Sequence, residues 1–80
     1  MMTVYTIKGL YIGKYGEEKN PTYFGTLGDA VRYASNTYNF THKGEDVVIC
    51  EGETPKAIQK WVKKVDEIGE YYEPLEWEVL

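Results

Sequence analysis

The stretch that decides the fold is Thr54 to Gly69, TPKAIQKWVKKVDEIG. Apolar residues recur at Ile58, Trp61, Val62, Val65 and Ile68, the i, i+3, i+4, i+7, i+10 spacing of one face of an α-helix. Lys56, Lys60, Lys63, Lys64 and Glu67 fall on the opposite side. Thr54 suits an N-cap, because its hydroxyl can accept from a free backbone N–H of the first turn. Pro55 suits the next position, where its missing N–H costs nothing, and Gly69 suits a left-handed stop. The spacing therefore predicts an amphipathic helix over 54–69, packed inward. Each of its five apolar side chains would contribute about 1.5–3 kcal/mol on burial, before entropy is subtracted.

Working back toward the N-terminus, Val47, Val48, Ile49 and Cys50 form a short continuous apolar run. Such a run suits a strand covered on both faces and hence central in a sheet. Glu51-Gly52-Glu53 turns the chain into the organising segment. Thr26 to about Thr37 reads as another helix, with Thr26 and Asp29 at capping-box spacing and a stripe at Leu27, Ala30, Val31, Ala34 and Tyr38. Thr22–Gly25, TYFG, reads as the returning strand of a hairpin whose turn is the polar cluster GEEKNP, Gly16–Pro21. The start, TVYTIKGLYIGKY, is rich in β-branched and aromatic residues. Gly9 marks a bulge or sharp bend in what reads as one long strand rather than two short ones. Beyond Gly69, Leu75, Trp77 and Val79 alternate with Glu76 and Glu78, the pattern of a half-buried strand with an acidic outer row. The expected fold is α+β, one domain over residues 1–80. It is a small, mostly antiparallel sheet of three or four strands with two helices on one face, in the order β-(β)-α-β-α-β.

The segment YFGTLGDAVRYAS, Tyr23 to Ser35, resembles the strand-turn-helix unit of plant AP2-type DNA-binding domains. It covers about a sixth of the chain. The arginine- and tryptophan-rich strands that read DNA in that family have no counterpart, so the resemblance implies a supersecondary unit and no function.

Composition narrows the chemistry. The single cysteine, Cys50, excludes an intramolecular disulfide, a four-cysteine zinc site and a CxxC redox motif, and the single histidine, His42, excludes sites built on paired histidines. The N-terminus lacks the basic-then-apolar pattern of a signal peptide and no run approaches the length of a membrane span, so a cytoplasmic protein is expected. In that setting the Asn39-Phe40-Thr41 glycosylation pattern carries no weight. The net charge is −4 and unevenly spread: five basic residues face three acids up to Gly44, whereas four lysines face ten acids after it. This acidity argues against direct nucleic-acid binding, which needs a basic footprint, and suits a basic partner.

Catalysis has little support. His42 lies in THKGED near Lys43, Glu45 and Asp46 and could shuttle protons, but an exposed loop residue is the plainer reading. Cys50 reads as an inert buried thiol. Glu51/Glu53 and Glu76/Glu78 share strand faces at i, i+2 spacing, which falls short of a metal site. No phosphate loop, dinucleotide fingerprint or catalytic-triad spacing occurs. No enzyme, cofactor or metal is expected.

The least ordinary feature is the acidic, aromatic C-terminal third. Glu70, Tyr71, Tyr72, Glu73, Glu76 and Glu78 combine interface-anchoring rings with charges that steer a basic partner. The expectation is a non-enzymatic binding protein acting by protein–protein contact, of the type of the small acidic phage-encoded (viral, anti-defence) inhibitors of host nucleases, with a surface imitating nucleic acid. The alternative is a small-ligand or nucleotide-binding module using Tyr11, Lys14, Tyr23 and Arg32, where aromatics beside cations could stack a base. Edge strands in so small a sheet leave a homodimer open.

Overall fold

The computed structural model describes residues 3–37 and 44–80. Its elements are β1 (Thr3–Lys8), β2 (Tyr11–Ile12), β3 (Glu18–Lys19), β4 (Thr22–Gly25), α1 (Leu27–Asn36), β5 (Val47–Glu51), β6 (Thr54–Val65) and β7 (Glu70–Val79). Five strands make one antiparallel sheet in the order β4-β1-β5-β6-β7, and β2 and β3 pair separately. The class is α+β as expected. The details differ: there is one helix among the described residues, and the main sheet has five strands.

The largest difference is the organising segment. Residues 54–65 form β6, the longest strand of the chain, and not a helix. Gly52 and Glu53 make a two-residue hairpin loop between the paired residues Glu51 and Thr54. Gly52 has φ +62°, the glycine-first arrangement of a type II′ turn, whose twist matches the strands it joins. β6 carries one extra residue, Lys56, where Cys50 pairs with Pro55 but Ile49 with Ala57, and alternates beyond it. Ala57 and Gln59 are buried and Trp61 is packed against the core, while Lys56, Ile58, Lys60 and Val62 point to the other side. Thr54 and Pro55 open this strand instead of capping a helix, and Gly69 closes the turn into β7.

The other elements follow their sequence signals more closely. β5 is the central strand, between β1 and β6, and its Val47, Ile49 and Cys50 are buried. The Thr26 hydroxyl accepts from the Asp29 N–H at 3.2 Å and starts α1, which buries Ala30 and Ala34. The last expected strand is present, but it begins at Glu70, five residues before Leu75. Tyr38, His42, Lys43 and the Asn39–Thr41 pattern lie outside the described residues.

The bend at Gly9 separates two strands that belong to different sheets, so the single bent strand is corrected to two short ones. β1 ends at Lys8, and the Gly9 N–H donates to the Asn20 side chain at 2.8 Å. Gly9 has φ +86°, and a Cβ there would stand 2.2 Å from the Asp46 carbonyl oxygen. Only glycine meets both conditions.

The core lies between one face of the sheet and α1. It contains Tyr5, Ile7, Leu10, Ala30, Ala34, Val47, Ile49 and Ala57, with Tyr23, Leu27, Val31, Tyr33, Trp61 and Trp77 packed around it. The two helix alanines let α1 sit close to the strands. Trp77 ties β7 to the helix through its indole N–H, which donates to the Ser35 hydroxyl at 2.8 Å.

Candidate functional site

β6 and β7 pair from Ala57↔Val79 to Val65↔Glu70, but β5 accompanies β6 only as far as Gln59. Beyond that point the hairpin has no third strand beside it among the described residues and continues as a two-stranded ribbon, with Gly44 set closely against the Tyr72 ring; the ribbon helps give the molecule its 48 × 26 × 19 Å dimensions. The ribbon leaves the sheet at a β-bulge. Gln59 pairs with Trp77 and Trp61 with Pro74, so three steps on β7 match two on β6 and the extra residue falls at Leu75–Glu76. The Gln59 side-chain amide donates to the Leu75 carbonyl at 3.0 Å and holds this irregular backbone.

At the far end, the Asp66 N–H donates to the Gly69 carbonyl at 3.0 Å. The Asp66 carboxylate accepts from the N–H groups of Ile68 and Gly69 at 2.8 and 3.1 Å. The turn is thus tied by its own side chain, and it holds Ile68 outward with 97% of its surface accessible. Asp66, Ile68, Gly69, Glu70 and Tyr71 line a shallow hollow beside this tip. Val65, Tyr71, Tyr72 and Leu75 are exposed as well.

The pairing sorts the ribbon into two faces. Lys63, Val65, Glu70 and Tyr72 share the face that carries Trp61; Val62, Lys64, Tyr71 and Glu73 share the other. Lys63 Nζ lies 3.1 Å from Glu70 and Lys64 Nζ lies 4.0 Å from Glu73. These exposed pairs stabilise weakly, yet they cancel two of the charges that sequence reasoning had counted as free. Glu76 and Glu78 form no ion pair among the described residues.

All six residues of the acidic-aromatic reading, Glu70, Tyr71, Tyr72, Glu73, Glu76 and Glu78, are therefore on the exposed strand β7. Sequence reasoning missed Ile68, because the helical spacing assigned it to a buried stripe.

The four residues of the alternative site are distributed over different elements. Tyr11 is buried on β2, and its hydroxyl donates to Glu45 at 2.6 Å. Lys14 stands in the following turn with its ammonium 5.6 Å from the Tyr15 ring. Tyr23 is on β4, with its ring tilted against Tyr33 at 5.1 Å, and Arg32 is exposed on α1, 3.8 Å from Asp29. The Cys50 thiol is buried. No cluster of three or more metal-ligating side chains occurs among the described residues, and no helix there is long and apolar enough to cross a membrane.

No family model, curated protein or solved structure matches the chain.

Proposed function

We propose that this is a non-enzymatic binding protein that acts by protein–protein contact through the β6–β7 ribbon. The observation that carries the reading is the continuation of the hairpin past the sheet, with a tied tip that exposes Ile68 almost completely. The tied turn already fixes the backbone that carries Ile68, so little backbone entropy is lost on docking and burial of the side chain is available to binding. Tyr71 lines the hollow beside it and Tyr72 follows on the opposite face of the ribbon, and residues of this type anchor interfaces. Glu76, with Asp66 and Glu67 at the tip, leaves the ribbon acidic, Glu78 continues the acidic row at its root, and both favour a basic partner surface.

A nuclease channel is a narrower version of the same proposal. A backbone mimic needs a run of uncompensated carboxylates, and Lys63 and Lys64 interrupt that run at Glu70 and Glu73. A basic protein surface with a small apolar pocket fits the ribbon better than a phosphate-binding groove.

The test is capture of a partner from lysate, at low and high salt, by the wild-type chain, Ile68→Asp and the triple reversal E73K/E76K/E78K. Both variants should melt within a few degrees of wild type, since none of the four side chains is buried. Ile68→Asp should lose capture at every salt concentration. The reversal should lose it most clearly at low salt, where surface charge is least screened. Normal capture by both variants would remove the ribbon from the binding surface.

A further inference from the structure

We infer that the outer edge of β7 accepts an extended protein segment, with lysine or arginine alternating with apolar residues, as a sixth strand of the sheet. The inference rests on the binding role proposed above and specifies the partner's form.

The first support is the backbone. Among the described residues β7 has a strand on one side only. Hydrogen-bonded and non-bonded pairs alternate along an antiparallel ladder. The Asp66 N–H bonds the Gly69 carbonyl at one end and the Leu80 N–H bonds the Lys56 carbonyl at the other. Counting inward from both ends, Tyr71, Glu73 and Glu78 bond to β6. Glu70, Tyr72, Trp77 and Val79 turn their N–H and C=O groups outward, and Pro74 turns out its C=O. The position of Pro74 is an independent check: proline has no N–H, and it stands where none is needed.

The second support is the side chains around that edge. On the face shared with Trp61, β7 offers Tyr72, Pro74, Trp77 and Val79, with Glu70 beside them at the tip end, where Lys63 pairs with it. On the other face it offers Glu73 and Glu78, with Tyr71 at the tip end, and alternation from Trp77 adds Glu76. β7 contains four glutamates and neither lysine nor arginine. Pairing of two β7 edges would set glutamates beside glutamates, which is unfavourable. From Tyr72 to Val79, an incoming strand with basic residues on the glutamate face and apolar residues on the aromatic face meets complementary chemistry on both. Edge glutamates, a proline and a bulge protect against indiscriminate pairing; here the same residues select one charge pattern over others.

The experiment uses the full chain, labelled with nitrogen-15, and a blocked hexapeptide Lys-Val-Lys-Val-Lys-Val. In antiparallel addition the valine backbone groups face β7 and the lysine groups face away. The unmodified peptide should shift the amide resonances of Glu70, Tyr72, Trp77 and Val79. Methylation of the three valine nitrogens should weaken binding at least tenfold, while methylation of the lysine nitrogens should leave it nearly unchanged. E73K/E76K/E78K should bind a Glu-Val-Glu-Val-Glu-Val peptide instead. Equal binding by both methylated peptides, or no shift at millimolar concentration, would overturn strand addition. If Ile68→Asp still abolished partner capture in that event, the ribbon would remain the binding surface, with side chains rather than backbone making the contact.

Discussion

At the scale of single residues, two positions join distant parts of the chain. Tyr11 reaches across to Glu45, thirty-four residues away, with a 2.6 Å hydrogen bond. That bond, then burial, then the nearby Glu45 charge hold the Tyr11 hydroxyl protonated above its ordinary value of 10.0. A group whose neutral acid form is favoured by folding contributes stability that is complete below the unfolded value and is lost as pH rises through the folded one. Tyr11→Phe should therefore cost about 1–2 kcal/mol at pH 7, and the gap between variant and wild type should close above about pH 10. Urea titrations of both proteins at pH 7 and pH 11 measure this; a gap that persisted undiminished would mean that ring packing, and not the hydrogen bond, is responsible. Gly9 is the second position. Its positive φ and its approach to the Asp46 carbonyl predict that Gly9→Ala costs about 2–3 kcal/mol. In a domain of this size that is a fall in melting temperature of roughly 10 °C or more.

At the scale of elements, the instructive failure is β6. Ile58 and Val62 lie on one face of the strand and Trp61 and Val65 on the other. A strand that is apolar on both faces mixes even and odd positions, and that mixture reproduces helical three-and-four spacing. The end signals were equally ambiguous. Thr54 and Pro55 can start a strand, and Gly69 can close a hairpin as well as a helix. Evidence for the strand was present in the β-branched content of Thr54, Ile58, Val62 and Val65 and in Gly52-Glu53, a glycine-first pair suited to a two-residue turn. β5 and α1 were legible because each has one dominant signal, a continuous apolar run and a capped alanine stripe, although Val48 is half-buried and the core covers one face of the sheet. The exposed acidic-aromatic strand of the candidate site was partly legible for a different reason: charge and aromatic content can be read without knowing the secondary structure. What could not be read was cross-strand pairing, so the lysines opposite Glu70 and Glu73 went unnoticed. The element-level prediction concerns stability. The ribbon beyond Gln59 has only one partner strand at each position, whereas β5 is paired on both sides. Backbone amides of residues 62–73 should exchange with solvent orders of magnitude faster than those of 47–50. Equal protection would mean that the ribbon is covered in solution.

At the scale of the whole molecule, the chain divides the work. β1, β4, β5, α1 and the root of the hairpin hold the core, and the ribbon contributes reach. Replacing residues 63–72 by Asn-Gly, a pair that closes a tight hairpin, should leave the core intact. The expected melting temperature is within about 5 °C of wild type, with capture of the partner abolished. Collapse of the shortened chain would show instead that the ribbon supports the core. Size makes this division economical: eighty residues bury a limited share of their surface, and a hairpin prolonged past the sheet adds exposed surface without requiring a second core.

The chain has only two tryptophans, Trp61 and Trp77. They occupy adjacent strands at the point where the hairpin parts from the sheet, and the Trp77 indole is fastened to Ser35. The protein's ultraviolet emission therefore originates where any flexing of the arm must be accommodated. Docking that bends the arm should alter the emission colour without an added dye, and docking confined to the extremity should leave it dark to the fluorimeter.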